Sequence, residues 1–222
     1  MKTESIKAWI PTSWADVSLR KYLLYRKNIE LVKDEEGFEE KNFIIALDTL
    51  CGIEPQHTKK LSILDTKRIQ ADLYSFMGQS EFELQRIIDV GGYLYGFEPN
   101  LSQMPYGLYL DISKYNSVTI DDNWAKIMSM LYRPLVGDKP KSANDTYQIK
   151  EYDGTLQPEL FELLPMDIHF GCLFFFINLQ RDLLRSTLKS LMEQKEMETL
   201  LPQILGRNGV ATLRWLNSQM ET

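Results

Sequence analysis

Residues Phe161–Leu184 read FELLPMDIHFGCLFFFINLQRDLL. Pro165 suits the first turn of a helix, where its missing N–H would have no intrahelical partner anyway. From Met166 onward, Phe170, Leu173, Phe174, Ile177, Leu184, Leu188 and Leu191 follow helical spacing. The start of this helix is apolar almost all round, so its first half is expected to be buried, whereas Arg181–Lys195 is amphipathic and charged. The companion stretch Met128–Tyr152 reads MSMLYRPLVGDKPKSANDTYQIKEY. It closes a helix through Trp124, Ile127, Met128, Leu131 and Tyr132 that begins at Asp121-Asp122. That helix stops at Arg133-Pro134, because a residue before proline is pushed out of helical geometry. None of the apolar residues in this pair is a catalytic type. The two stretches are folding architecture and predict a mainly helical domain.

Upstream, Ile10-Pro11 opens in extended form, and Ser13 or Asp16 can cap a helix carrying Val17, Leu19, Tyr22, Leu23 and Ile29. Lys33–Lys41, with Gly37, reads as a charged surface connection. Phe43–Cys51 is an apolar helix ended by Gly52. Pro55–Met77 continues in helical phase through Ile69, Leu73 and Phe76, with Asp65 as a cap, and exits at Gly78. Ile87–Val90 and Tyr93–Tyr95 flank Gly91-Gly92, a hairpin signal. Asp111, Ile112 and Tyr115 suit a short helical piece. Pro134–Pro158, with Gly137, Pro140 and Gly154, reads as a long loop holding an extended piece at Tyr147–Tyr152; loops of this length are often functional. The expected organisation is a compact helical domain over 1–195 with a small β-hairpin insertion, and a tail over 196–222 with a weak helix at Ala211–Met220.

The 222 residues are 44% hydrophobic and 25% charged, ordinary for a globular protein, with a net charge of −6. Nucleic-acid binders draw most of their affinity from basic surfaces that meet phosphate. The only local basic cluster, Lys59, Lys60, Lys67 and Arg68, reads as a solvated helix face, so no nucleic-acid partner is expected. The longest apolar run, Cys172–Ile177, is too short to span a bilayer. MKTESIKAWIP lacks a signal-peptide core. An intracellular protein without a membrane partner is the expectation.

Chemistry-bearing residues are sparse. Cys51 with His57, and His169 with Cys172, do not match zinc-finger spacing and form no CxxC pair. His169 and Cys172 fall on a buried helix, whereas a reactive thiolate needs an accessible, electropositive site. The glycines match neither phosphate-binding pattern. Asp121-Asp122 and the Glu35-Glu36 and Glu39-Glu40 pairs read as capping and solvation. No catalytic residue, no metal and no cofactor is expected. Aromatic residues are the more suggestive content, because interface cores favour them. Trp14, Tyr93, Tyr95, Phe97, Tyr106, Tyr109 and Trp215 are therefore the candidate partner-binding residues.

The succession Ile10–Tyr25 (IPTSWADVSLRKYLLY), Asn42–Ile53 (NFIIALDTLCGI), Leu64–Phe76 (LDTKRIQADLYSF), Ile127–Val136 (IMSMLYRPLV), Thr146–Thr155 (TYQIKEYDGT) and Glu162–Leu179 (ELLPMDIHFGCLFFFINL) resembles small proteins of tailed-phage structural modules. The resemblance is to tail assembly chaperones and baseplate hub assembly proteins, and it spans roughly residues 9–185. It implies a non-enzymatic protein of the host cytoplasm or the virion that binds other tail or baseplate proteins. It brings no catalytic residues with it. A virion structural subunit (connector, hub or cargo protein) is the alternative, and an enzyme using His169 or Cys172 a further one.

Overall fold

The computed structural model describes residues 9–115, 120–137, 140 and 146–193. The expected helix at Ala211–Met220, and Trp215 with it, lies outside the described residues. The fold is mainly α with a small antiparallel sheet. A single 3₁₀ turn, Trp14–Asp16, precedes α1 (Leu19–Val32) and α2 (Phe38–Thr49), which form a helical hairpin. Their antiparallel packing is fixed at one end by the contact of Lys21 Nζ with the Leu50 carbonyl at 3.5 Å, and midway by the bond from Tyr25 Oη to Asn42 Oδ1 at 2.9 Å. Next come α3 (Pro55–Thr58), α4 (Ile63–Met77), β1 (Ile87–Val90), β2 (Tyr93–Phe97), α5 (Tyr106–Ser113) and α6 (Trp124–Leu131). β3 (Tyr132–Val136), β4 (Gln148–Ile149), α7 (Pro158–Phe161) and α8 (Met166–Glu193) complete the described chain. Contacts divide it after Phe175; the second unit contributes the remainder of α8, where Leu183 and Leu184 are exposed.

Several boundaries differ from the sequence expectation, each for a local reason. Ser13 and Asp16 cap the 3₁₀ turn, and α1 starts later, on Ser18, whose hydroxyl accepts from the Lys21 N–H. Half of the Lys33–Lys41 connection is helical, because Gly37 takes a left-handed φ of 73° and launches α2 at Phe38. The helical phase over Pro55–Met77 is interrupted before Ser62. Ser62 caps α4 and Asp65 sits three residues inside, its N–H bonded to the Ser62 hydroxyl in the pattern of a capping box. α6 begins at Trp124 rather than at Asp121-Asp122. Tyr132 is not helical: it opens β3, and the chain passes from helix to strand without a loop.

The Gly91-Gly92 hairpin forms as the sequence predicts. Both glycines have positive φ, 62° and 87°, the geometry of a two-residue turn matched to strand twist. The sheet order is β1-β2-β3-β4, all neighbours antiparallel, with Tyr95 opposite Pro134 and Leu135 opposite Ile149. One face, carrying Ile88, Val90, Tyr95, Phe97 and Tyr132, is buried; Tyr95 and Tyr132 meet Phe161 of α7 on that side. The other face is crossed by Tyr147, described below.

Trp14 is a junction of the helical core. Its ring meets Phe76 of α4 edge-on at 5.2 Å and Phe170 of α8 edge-on at 5.0 Å. Such pairs add roughly 0.5–1.5 kcal/mol beyond area burial. The start of α1 is tied to the turn before α8 by backbone bonds from Leu19 to Leu164 (3.0 Å), Arg20 to Glu162 (2.9 Å) and Met166 to Val17 (2.8 Å). α8 in turn passes backbone-close to the segment before β1: a Cβ on Gly171 would stand 2.3 Å from the Glu83 carbonyl oxygen.

Candidate functional site

The candidate aromatic residues separate by burial. Tyr93, at the hairpin turn, is 74% exposed, and Tyr106, at the start of α5, is 73% exposed. Tyr109 is also exposed and lies one turn further, its ring stacked on that of Tyr106 with centroids 6.3 Å apart and planes 21° off parallel. Trp14, Tyr95 and Phe97 are buried, the first in the helical core and the other two on the inner sheet face. Alternation along β2 puts Tyr93, Tyr95 and Phe97 on one face; Phe161 of α7 meets the Tyr95 ring, Tyr132 and Phe175 meet that of Phe97, and Tyr93 is exposed. Tyr93 and Tyr95 share an open cleft of about 420 Å³ with Val90, Pro134, Gln157 and Leu160.

The helix that carries the stacked tyrosines is tied down at Asp111. The Tyr152 hydroxyl donates to Asp111 of α5 at 2.6 Å. Burial first, then the neighbouring carboxylate, pushes the Tyr152 hydroxyl up to about 12, so it stays a donor at neutral pH. The Asp111 carboxyl is held below its usual range by Lys114 and then by Tyr152. The stretch that carries Tyr152 is pinned by Arg133, whose Nε donates to the Lys150 carbonyl at 2.8 Å. Arg133 is itself buried, with Nη1 on the Met130 carbonyl at 3.0 Å and Nη2 on the Glu98 carboxylate at 2.5 Å. A small cavity of about 100 Å³ lies beneath, lined in part by Ser129, Arg133, Tyr152 and Gln157. That is room for roughly three waters.

His169 and Cys172 are core residues. The Trp124 indole N–H, which can only donate, bonds His169 Nδ1 at 3.1 Å. Nε2 therefore carries the proton and donates to the Phe161 carbonyl at 3.1 Å. Burial pushes the imidazole down to about 4, so it is neutral at physiological pH. Burial likewise pushes the Cys172 thiol far up, and the Cys51 thiol up to about 11; both are free cysteines. As folded, both His169 nitrogens are engaged inside the core and neither thiol is poised as thiolate. Among the described residues no three His, Cys, Asp or Glu side chains converge as a metal site, and no helix is long and apolar enough to cross a membrane.

Two exposed apolar features escaped the sequence reading. Ile63 and Leu64, at the start of α4, are each 78% exposed, and Leu31, near the end of α1, is 73% exposed. Helical spacing alone assigns such residues to a buried stripe. The nearby signal was charge: Lys59, Lys60, Lys67 and Arg68 flank Ile63-Leu64, and Glu30, Asp34, Glu35 and Glu36 flank Leu31. Comparison with known proteins gives no matching family model, no matching curated protein and no matching solved structure.

Proposed function

We propose that this chain acts by binding other proteins, as an assembly chaperone of a phage tail or baseplate that covers apolar surface on a partner until the partner polymerises. The observation that carries the binding reading is the stacked, exposed Tyr106–Tyr109 pair on α5. Large aromatic side chains cost water contact when left exposed, and rigid aromatic anchors dominate binding energy at interfaces. The Tyr152–Asp111 bond anchors the helix that carries the pair, which lowers the entropy lost on binding. Tyr93 beside its cleft offers a second anchor. The tail or baseplate setting rests on the resemblance in the order of the sequence segments.

Affinity capture from producing cells with the wild-type chain, and with Tyr106→Ala/Tyr109→Ala, tests the binding step. The expected result is a tail or baseplate component retained by the wild type and lost from the variant at unchanged thermal stability. Quantitative mass spectrometry of lysate and purified particles tests the chaperone step. Abundance in lysate with absence from particles supports it. A fixed integer copy number in particles replaces it with a structural subunit, and capture of no tail or baseplate component overturns the assembly reading.

A further inference from the structure

The α1–α2 tip and the start of α4 are opposite in charge and each carries exposed aliphatic surface. At the start of α4, Ile63 and Leu64 stand in solvent between Lys59 and Lys60 on one side and Lys67 and Arg68 on the other. The only carboxylate from residue 59 to residue 68 is Asp65, which accepts from the Ser62 hydroxyl at the helix cap. Lys59, Lys67 and Arg68 make no ion pair among the described residues. At the tip, Lys33 pairs with Glu30 and Lys41 with Glu35, which leaves Asp34, Glu36, Glu39 and Glu40 without an ion pair among the described residues around exposed Leu31.

In the chain the two surfaces flank α2. The tip joins α1 to the start of α2, and α3 and α4 follow the end of α2 at Gly52. Among the described residues no ion pair joins Lys59, Lys67 or Arg68 to the acidic tip of the same copy. Each keeps its own sign and each leaves aliphatic area wet.

We propose that the acidic α1–α2 tip of one copy docks on the basic, aliphatic start of α4 of a second copy. Leu31 then covers Ile63 and Leu64, and Glu36, Glu39 and Glu40 face Lys59, Lys67 and Arg68. Charge sets encounter and register, and the aliphatic contact supplies the area term. A two-fold arrangement closes at a dimer, and a head-to-tail one grows further with concentration. The contact uses none of Tyr93, Tyr106 and Tyr109, so it stands apart from the proposed partner-binding surface.

Sedimentation velocity of the full chain over a concentration series at low and high salt tests this, with two charge-reversed variants, Lys67→Glu/Arg68→Glu and Glu36→Lys/Glu39→Lys. The wild type is expected to associate at low salt and to dissociate as salt rises. Each variant alone should associate roughly tenfold or more weakly, and an equimolar mixture of the two should recover hetero-association through the native pairing and the doubly reversed one. Circular dichroism of each variant checks its fold, and the mixture is informative because misfolded chains would not recover. A wild type that stays monomeric at low salt overturns the proposal. So do variants that associate like the wild type. A monomeric wild type that floats with vesicles of phosphatidylcholine and phosphatidylserine would assign the α4 surface to an anionic lipid instead. All these outcomes leave the Tyr106/Tyr109 capture result unaffected.

Discussion

The ring of Tyr147 lies directly over Gly96, close enough that a Cβ at Gly96 would stand 2.6 Å from it. The Tyr147 hydroxyl reaches past that point to donate to the Phe97 carbonyl at 2.7 Å, and the Arg86 guanidinium sits 5.3 Å from the ring centre. Gly96 has no positive φ, so its requirement is space rather than backbone freedom. Gly96→Ala should cost roughly 1–3 kcal/mol in urea unfolding, as overpacking does. In a Tyr147→Ala background the same change should cost less but still something, because Ile149 Cγ2 would stand 2.7 Å from the new Cβ. Equal costs in both backgrounds would mean that Ile149 rather than the ring excludes a side chain.

His169 should give the protein a pH limb of its own. Its folded-state value of about 4 lies below the 6.5 of an unfolded histidine. Between those values the unfolded chain binds the proton and the folded chain does not, so stability falls as pH drops from about 6.5 to about 4. The loss is on the order of 3 kcal/mol. The lowered carboxyls of Asp16 and Asp111 act in a separate window, giving stability that is lost only as pH falls below about 3.8. Urea midpoints over this range should slope for the wild type and flatten above pH 4 for His169→Gln, despite its lower overall stability. A slope of the same size in His169→Gln would assign it to other groups.

Arg133 and Glu98 should be unequal partners. Glu98→Gln keeps an oxygen for Arg133 Nη2, whereas Arg133→Met strands the Glu98 carboxylate and removes the donors on Met130 and Lys150. Either change leaves one buried charge without its counter-ion, at about 3–5 kcal/mol. Arg133→Met also leaves the Met130 and Lys150 carbonyls without their donor, so it should be the more damaging of the two in chemical denaturation. Restoring an apolar residue at 98 in the Arg133→Met chain should recover part of the loss.

Two helical glycines should respond with opposite sign. A Cβ at Gly171 meets the Glu83 backbone, which cannot swing aside, so Gly171→Ala should destabilise by roughly 1–3 kcal/mol or more. Gly107, in the first turn of α5, has open space around it and no positive φ. Gly107→Ala should raise the melting temperature, by at most about 1 kcal/mol of stability, because alanine gives up less chain entropy on folding. It also provides a stabilised control for the Tyr106→Ala/Tyr109→Ala binding variant.

The hairpin was legible because Gly-Gly between apolar runs specifies a turn with positive φ at both positions, and both glycines adopt it. The buried start of α8 was legible from an apolar run that leaves no polar face. The switch at Tyr132 was not, because Pro134 reads as the end of structure: proline cannot donate to a ladder. In the fold its carbonyl, and so its missing N–H, faces the very start of the β3–β4 ladder, where the bond from the Lys150 N–H to the Pro134 carbonyl at 2.8 Å carries the pairing. Among the aromatic residues, composition marked the type but not the side. Tyr95 is covered by Phe161, and α7, which carries Phe161, is a four-residue helix with no periodicity to read.

The bonds that tie Val17, Leu19 and Arg20 to Glu162, Leu164 and Met166 also set a clock for synthesis. Arg20 and Glu162 are 142 residues apart. At roughly 5–20 residues per second, translation takes about 7–30 s to cover that interval. During it the α1–α2 hairpin has left the ribosome while the residues that close over Trp14, the Phe170 ring among them, are still to be made. Trp14 and the start of α1 therefore wait with an open apolar side, and this part of the core closes only once the start of α8 has emerged.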